Sequence, residues 1–141
     1  MSVVAVLLVS TGAIAGIVKA STLTDYLISW LGQGESARML LAPLSGAIMS
    51  AATASTTAGA TIASASFSEA ILAAGVPAVW GAALVNVGST VLDHLPHGSF
   101  FHATGGSLEM GMKELLRLIP YASLVGLILS VLSLAMYVIV G

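Results

Sequence analysis

The densest polar cluster of the sequence lies at residues 93–99, directly after a stretch without charges that covers residues 70–92. It opens with Asp93 and His94. An ionisable side chain next to a long apolar stretch is costly to bury in a bilayer unless it is paired or hydrated. A carboxylate beside an imidazole in a partly dry site can gain and lose a proton near neutral pH. We therefore predict that Asp93 and His94 couple protons to function, with helix capping by Asp93 and hydration of His94 as the alternative.

A second polar feature is a tract of small and hydroxyl-bearing residues at positions 50–61. Ser55, Thr56 and Thr57 are adjacent in its middle. Hydroxyl donors and the free backbone amides of a helix N-terminus hold carboxylates well. The tract is thus a candidate anion site, although small residues also allow close packing of helices without any ligand.

Other chemistry has little support in this sequence. His94 and His97 are three residues apart, but Pro96 between them disrupts the helix that would place both on one metal. The chain has no cysteine, and it contains no HExxH motif, phosphate-binding loop or nucleophile elbow. We predict no metal, no cofactor and no enzymatic activity. The net charge of −2 without a basic patch also disfavours nucleic-acid binding.

The composition indicates which elements position these residues. Hydrophobic residues make up 57% of the chain and charged residues only 7%, whereas a soluble domain carries about a quarter charged residues. A membrane-crossing helix needs roughly 20 apolar residues, and the charge-free stretches are of that order: residues 1–18, 39–68, 70–92 and 118–141. We predict an all-α, multi-pass protein of the cytoplasmic membrane. A cleaved signal peptide is disfavoured because no Lys or Arg precedes the first apolar stretch.

The sequence suggests five membrane elements. They are a span at 1–19, a re-entrant hairpin or single span at 39–75, a broken span at 77–106, an amphipathic surface helix at 107–118 and a last span at 119–140. A single span at 39–75 would place Lys19, Arg38, Lys113 and Arg117 on one side, as the positive-inside rule prefers. A hairpin would separate the two basic pairs. Non-helical backbone inside a membrane must be buried in protein or line a watery cavity, which suits the hydroxyl tract.

Two stretches together resemble the gluconate permease family of proton-coupled symporters. The first is residues 46–59, GAIMSAATASTTAG, and the second is residues 88–98, GSTVLDHLPHG. The resemblance implies uptake of a small hydroxycarboxylate anion with protons, and it favours the hairpin at 39–75. It also implies that the residues in or near the site include Thr53, Ser55, Thr56, Asp93 and His97.

Members of that family are considerably longer than this chain. The resemblance therefore implies a C-terminal portion of a permease, a truncated product or a start that lies upstream of Met1. The expected partners are the lipid bilayer, the anion and protons, and the rest of the permease or a partner subunit, with a homo-oligomer as a further option. The alternative is a small accessory or assembly protein that does not transport and packs through its small-residue faces.

Overall fold

The computed structural model describes residues 2–31 and 39–141. Within those residues the chain forms seven helices and no strand, which confirms the all-α prediction. The helices are α1 (Ser2–Ala20), α2 (Leu23–Leu31), α3 (Leu41–Thr53), α4 (Thr56–Ala73), α5 (Ala78–Gly88), α6 (Ser99–Ser107) and α7 (Met112–Val140).

Among the described residues, α7 is the one helix long and apolar enough to cross a membrane by itself. Only 17% of the residues in its apolar stretch are buried, and Ile139 is 81% exposed, as a lipid-facing helix requires. The shorter apolar helices are Val9–Ala20, Leu41–Thr53 and Ala78–Gly88. The multi-pass arrangement therefore stays a prediction. Arg38, on which the charge argument depends in part, lies outside the described residues.

The start of α7 differs from the sequence prediction. We expected a surface helix to end at Leu118 and a separate span to begin at Ile119, but α7 is continuous through Pro120. The Glu114 carboxylate accepts a hydrogen bond from the Gly111 N–H at 2.9 Å and so begins the helix earlier. Proline removes one backbone hydrogen bond and favours a kink. The helix continues because strong helix formers, chiefly leucines, surround that position.

Helices α3, α4 and α5 form the centre of the fold. Their buried side chains include Ile62, Phe67 and Leu84, each no more than 1% exposed. Helices α3 and α5 cross with their backbones in contact: a methyl group added at Gly46 would overlap the Val85 carbonyl oxygen, and one at Gly88 would overlap the backbone of Pro43 in α3. The glycines at this crossing are therefore required by space rather than by backbone conformation.

The remaining helices pack around this centre. Helix α1 lies on α4, where the buried Ser66 hydroxyl donates to the Ala15 carbonyl at 3.1 Å. Helix α7 lies on α5, and the rings of Trp80 and Tyr137 meet with their centroids 5.4 Å apart. Nearer the start of α7, Gly126 contacts the backbone that follows α5. Helix α7 is thus attached to the centre at Gly126 and Tyr137.

Candidate functional site

The site begins where the chain leaves the helix inside the hydroxyl tract. Helix α3 ends at Thr53, and Ala54 has φ 45° and ψ 44°, a left-handed conformation that is uncommon for a residue with a side chain. Ser55 is extended, and its hydroxyl accepts from the Ala58 N–H at 3.3 Å, so it caps the N-terminus of α4. Thr53 donates its hydroxyl hydrogen bond to the Met49 carbonyl at 2.9 Å. These hydroxyls hold the break between α3 and α4, which we call the first break.

A second break separates α5 from α6, at residues 89–98. Its last turn is closed by a hydrogen bond from the Gly98 N–H to the Leu95 carbonyl at 2.9 Å. Gly98 packs directly on Ala54: an added methyl carbon would lie 2.5 Å from the Ala54 carbonyl oxygen and 2.6 Å from its Cβ. The first break and the second break therefore meet at this contact, and the N-termini of α4 and α6 both begin beside it.

A side-chain hydrogen bond joins the two breaks. The Thr56 hydroxyl, in the first turn of α4, donates to Oδ2 of Asp93 in the second break. The Asp93 side chain is 23% exposed. Its carboxylate thus lies at the positive end of the α4 dipole, where negative charge is stabilised. This is also the place where a bound anion would find the first backbone N–H groups of α4, which have no acceptor within the helix.

His94 extends this connection to α7. Its Nδ1 lies 3.0 Å from Oδ1 of Asp93. Its Nε2 lies 2.9 Å from the Ser123 hydroxyl and 3.1 Å from the Ile119 carbonyl oxygen, both in α7. The ring is almost fully buried, with 8% of its side chain exposed. Thr56, Asp93, His94 and Ser123 therefore form one continuous chain of hydrogen bonds from α4 to α7.

The structure brings together some of the predicted site residues and not others. A hydrogen bond joins Thr56 to Asp93, and another joins Asp93 to His94. Thr53 and Ser55 flank Thr56 in the first break. By contrast, Thr57 and His97 are exposed, and their side chains make no hydrogen bond to the described residues. The predicted functional role of each of these residues stays a prediction.

Three contributors to the site were missed in the sequence. Ser123 and the Ile119 carbonyl lie in an apolar helix, where the one visible signal was a hydroxyl three residues after Pro120. Gly98 was visible only as a glycine in a polar turn. In the part of the chain that the structure describes, no group of three His, Asp or Glu side chains comes together as a metal site would need.

The chain is similar to a protein of Haemophilus influenzae described as an "Uncharacterized transporter". The two are 53% identical over 133 residues, which is 94% of this chain but 32% of that relative, so the chain spans about a third of the relative's length. No protein-family model and no solved structure matches the chain. The similarity supports a transport role, a membrane location and a non-enzymatic function. This chain is a homologue of one part of a transporter.

Proposed function

We propose that the chain forms part of a secondary transporter that carries a small organic anion, of the gluconate-like hydroxycarboxylate class, together with protons across the cytoplasmic membrane. The observation that carries the proposal is the meeting of the first and second breaks, with Asp93 bonded to Thr56 at the N-terminus of α4. In secondary transporters, discontinuous helices whose N-termini point at an anionic substrate are the usual binding device. The partners would be the remainder of the permease, the bilayer, the anion and protons.

The placement of Asp93 suggests how proton and anion binding are coupled. An ionised carboxylate already occupies the positive end of α4. An anion bound about 4 Å from it would be repelled by roughly 4 kcal/mol at an effective dielectric constant of about 20. Protonation removes that repulsion and leaves the amides of α4 available to the substrate. The His94 ring, hydrogen-bonded to the same carboxylate, supplies a route for the proton.

The polar side chains of the two breaks and of the first turn of α4 would divide between positioning and substrate contact. Ser55 and Thr53 are engaged in capping and backbone hydrogen bonds, so their main effect is to hold the amides of α4 in place. The exposed Thr57 hydroxyl and His97 ring have no partner among the described residues, and they are the groups open to a hydroxycarboxylate. We therefore assign substrate contact to Thr57 and His97, and positioning to Thr53 and Ser55.

The test is the Asp93→Asn variant of the intact protein in proteoliposomes. Asparagine keeps the shape but cannot ionise, so we expect anion exchange to persist while accumulation of labelled gluconate driven by an inward proton gradient is lost. Thr61→Val is the matched control, because among the described residues the Thr61 hydroxyl has one hydrogen bond, to the Thr57 carbonyl one turn back in α4. Full proton-driven accumulation by Asp93→Asn would remove Asp93 from the coupling. No uptake by the unaltered protein would favour the accessory-protein alternative.

A further inference from the structure

The acceptors around His94 favour one protonation state of the Asp93–His94 pair. The Ile119 carbonyl oxygen can only accept a hydrogen bond, so its 3.1 Å contact is favourable when Nε2 of His94 carries a proton. An ionised carboxylate also only accepts, so the 3.0 Å contact between Nδ1 and Asp93 Oδ1 is favourable when a proton lies between those atoms. Both contacts are hydrogen bonds at once when the pair holds one proton more than an ionised Asp93 beside a neutral His94. We call this the proton-loaded form.

Loss of that proton leaves His94 with one N–H for two acceptors. The proton is best kept on Nδ1, because a hydrogen bond to a carboxylate is about twice as strong as one between neutral groups. Nε2 then presents a lone pair to α7. The Ser123 hydroxyl, 2.9 Å away, can turn and donate to it, because a hydroxyl both donates and accepts. The Ile119 carbonyl cannot, and its contact with the ring becomes repulsive.

We propose that the Ile119 carbonyl and Ser123 of α7 bind the Asp93–His94 pair differently in its two protonation states. Loss of the proton then releases the part of α7 that precedes Pro120. This inference rests on the proposed function, in which the same pair carries the coupled proton. Ser123 acts here as a positioning residue, because it touches His94 rather than the substrate.

Apart from Asp93, no ionisable side chain among the described residues around His94 is placed to take up the proton. A cavity of about 130 Å³ adjoins the ring, and its walls from α6 and α7 carry no charged side chain: they are Phe100, Phe101, Thr104, Leu115, Leu118, Ile119 and Ala122. From α4, the Thr56 hydroxyl reaches Asp93. The other ionisable side chains of the second break, α6 and the start of α7 are exposed, namely His97, His102, Glu109, Lys113, Glu114 and Arg117.

The position of Pro120 determines which part of α7 can move. A proline inside a helix lacks one backbone hydrogen bond and is the usual place for a kink. Beyond it, α7 is held on the centre by Gly126 and by the Trp80–Tyr137 ring contact. Before it, α7 contacts α6 through Leu115 and Gly105. Release of Ile119 therefore lets the start of α7 swing while its remainder stays attached.

The experiment measures distances between spin labels on introduced cysteines, in the intact protein in bilayers, as the pH is raised. The chain has no cysteine of its own. One pair joins Val79 of α5 to Leu116, which precedes Pro120, and the control pair joins Val79 to Leu132, which follows it; all three side chains are exposed. We expect the first distance to change with pH and the second to stay constant. His94→Gln should abolish the change.

Ser123 variants distinguish a response to the protonation state of the Asp93–His94 pair from simple packing. Ser123→Ala removes the donor that stabilises the deprotonated form, whereas the loaded form keeps the Ile119 acceptor. The midpoint of the distance change should therefore move to higher pH by about 0.5–1 unit, the equivalent of one neutral hydrogen bond, and Ser123→Thr should restore it. A pH-independent Val79–Leu116 distance, or a midpoint unmoved or lowered in Ser123→Ala, would overturn the inference. The measurement needs no transport, so failed gluconate uptake with a normal distance titration would reject the proposed function alone.

Discussion

The contact between Gly98 and Ala54 gives the sharpest test of the site, through the variant Gly98→Ala. Gly98 has φ −94° and ψ 153°, which alanine adopts without strain, so the added methyl group acts only through the space it needs. Its carbon would lie 2.5 Å from the Ala54 carbonyl oxygen, whereas ordinary contact begins at 3.4 Å. The first and second breaks must therefore separate by about 0.9 Å, the difference between those two distances.

That separation has two measurable consequences. Forcing an extra methyl group into a packed contact costs about 1–3 kcal/mol of folding free energy. A displacement of about 1 Å between groups that must act together can also cost on the order of 100-fold in rate. We expect proton-driven uptake to fall roughly 10- to 100-fold in proteoliposomes, because Thr56 and Asp93 lie on opposite sides of the separated contact.

The matched control is Gly106→Ala in α6, the helix that begins directly after Gly98, where an added methyl group meets nothing within 4 Å. Alanine is also the better helix former, so this variant should be as stable as the unaltered protein or slightly more so. Uptake and thermal unfolding of the two variants are compared side by side. Equal uptake and equal unfolding temperature for Gly98→Ala and Gly106→Ala would refute the claim that the two breaks are in contact at Gly98.

Two more predictions use the same assays. Thr56→Val removes the hydroxyl that donates to Asp93 and should lower proton-driven uptake at least 10-fold, whereas Thr61→Val should leave it unchanged; equal activity of the two variants would contradict the assignment of Thr56. Gly88→Ala should lower the free energy of unfolding by about 1–3 kcal/mol, because the methyl group would press on the backbone of α3. Gly12→Ala, which meets nothing within 4 Å, should not, and similar unfolding curves for both would argue against the backbone crossing.

The helical class was accessible from the sequence, because charge-free stretches of membrane length are a local signal for helices. The residues alone left the hydroxyl tract open as a single span or a hairpin, and Pro96 with Gly98 predicted a broken helix. The proximity of Thr56 to Asp93 was implied only by the resemblance to a permease family, and the structure joins the two by a hydrogen bond. The re-entrant hairpin, in which α3 and α4 would enter the membrane from one side and meet at Ala54, stays a prediction.

The remaining features depend on three-dimensional packing that no local pattern encodes. Ser123 lies in an apolar helix, and its partner His94 is 29 residues away in sequence, so their contact requires the fold. The predicted boundary before Ile119 followed the change from a charged to an apolar stretch, but α7 runs through that change and through Pro120 without ending. His97 lies in the same break as Asp93 and His94, but its ring is exposed, whereas the ring of His94 is buried.

The glycine crossing of α3 and α5 bears on how such a molecule can move. Helices that meet through side chains can slide past one another, because those side chains can change rotamer. At Gly46 and Gly88 the backbones themselves touch, so no side chain lies between them that could change rotamer. The two helices can separate at this contact, but they cannot slide past each other. If the proposed transport moves these helices, α3 and α5 would therefore travel as one rigid body.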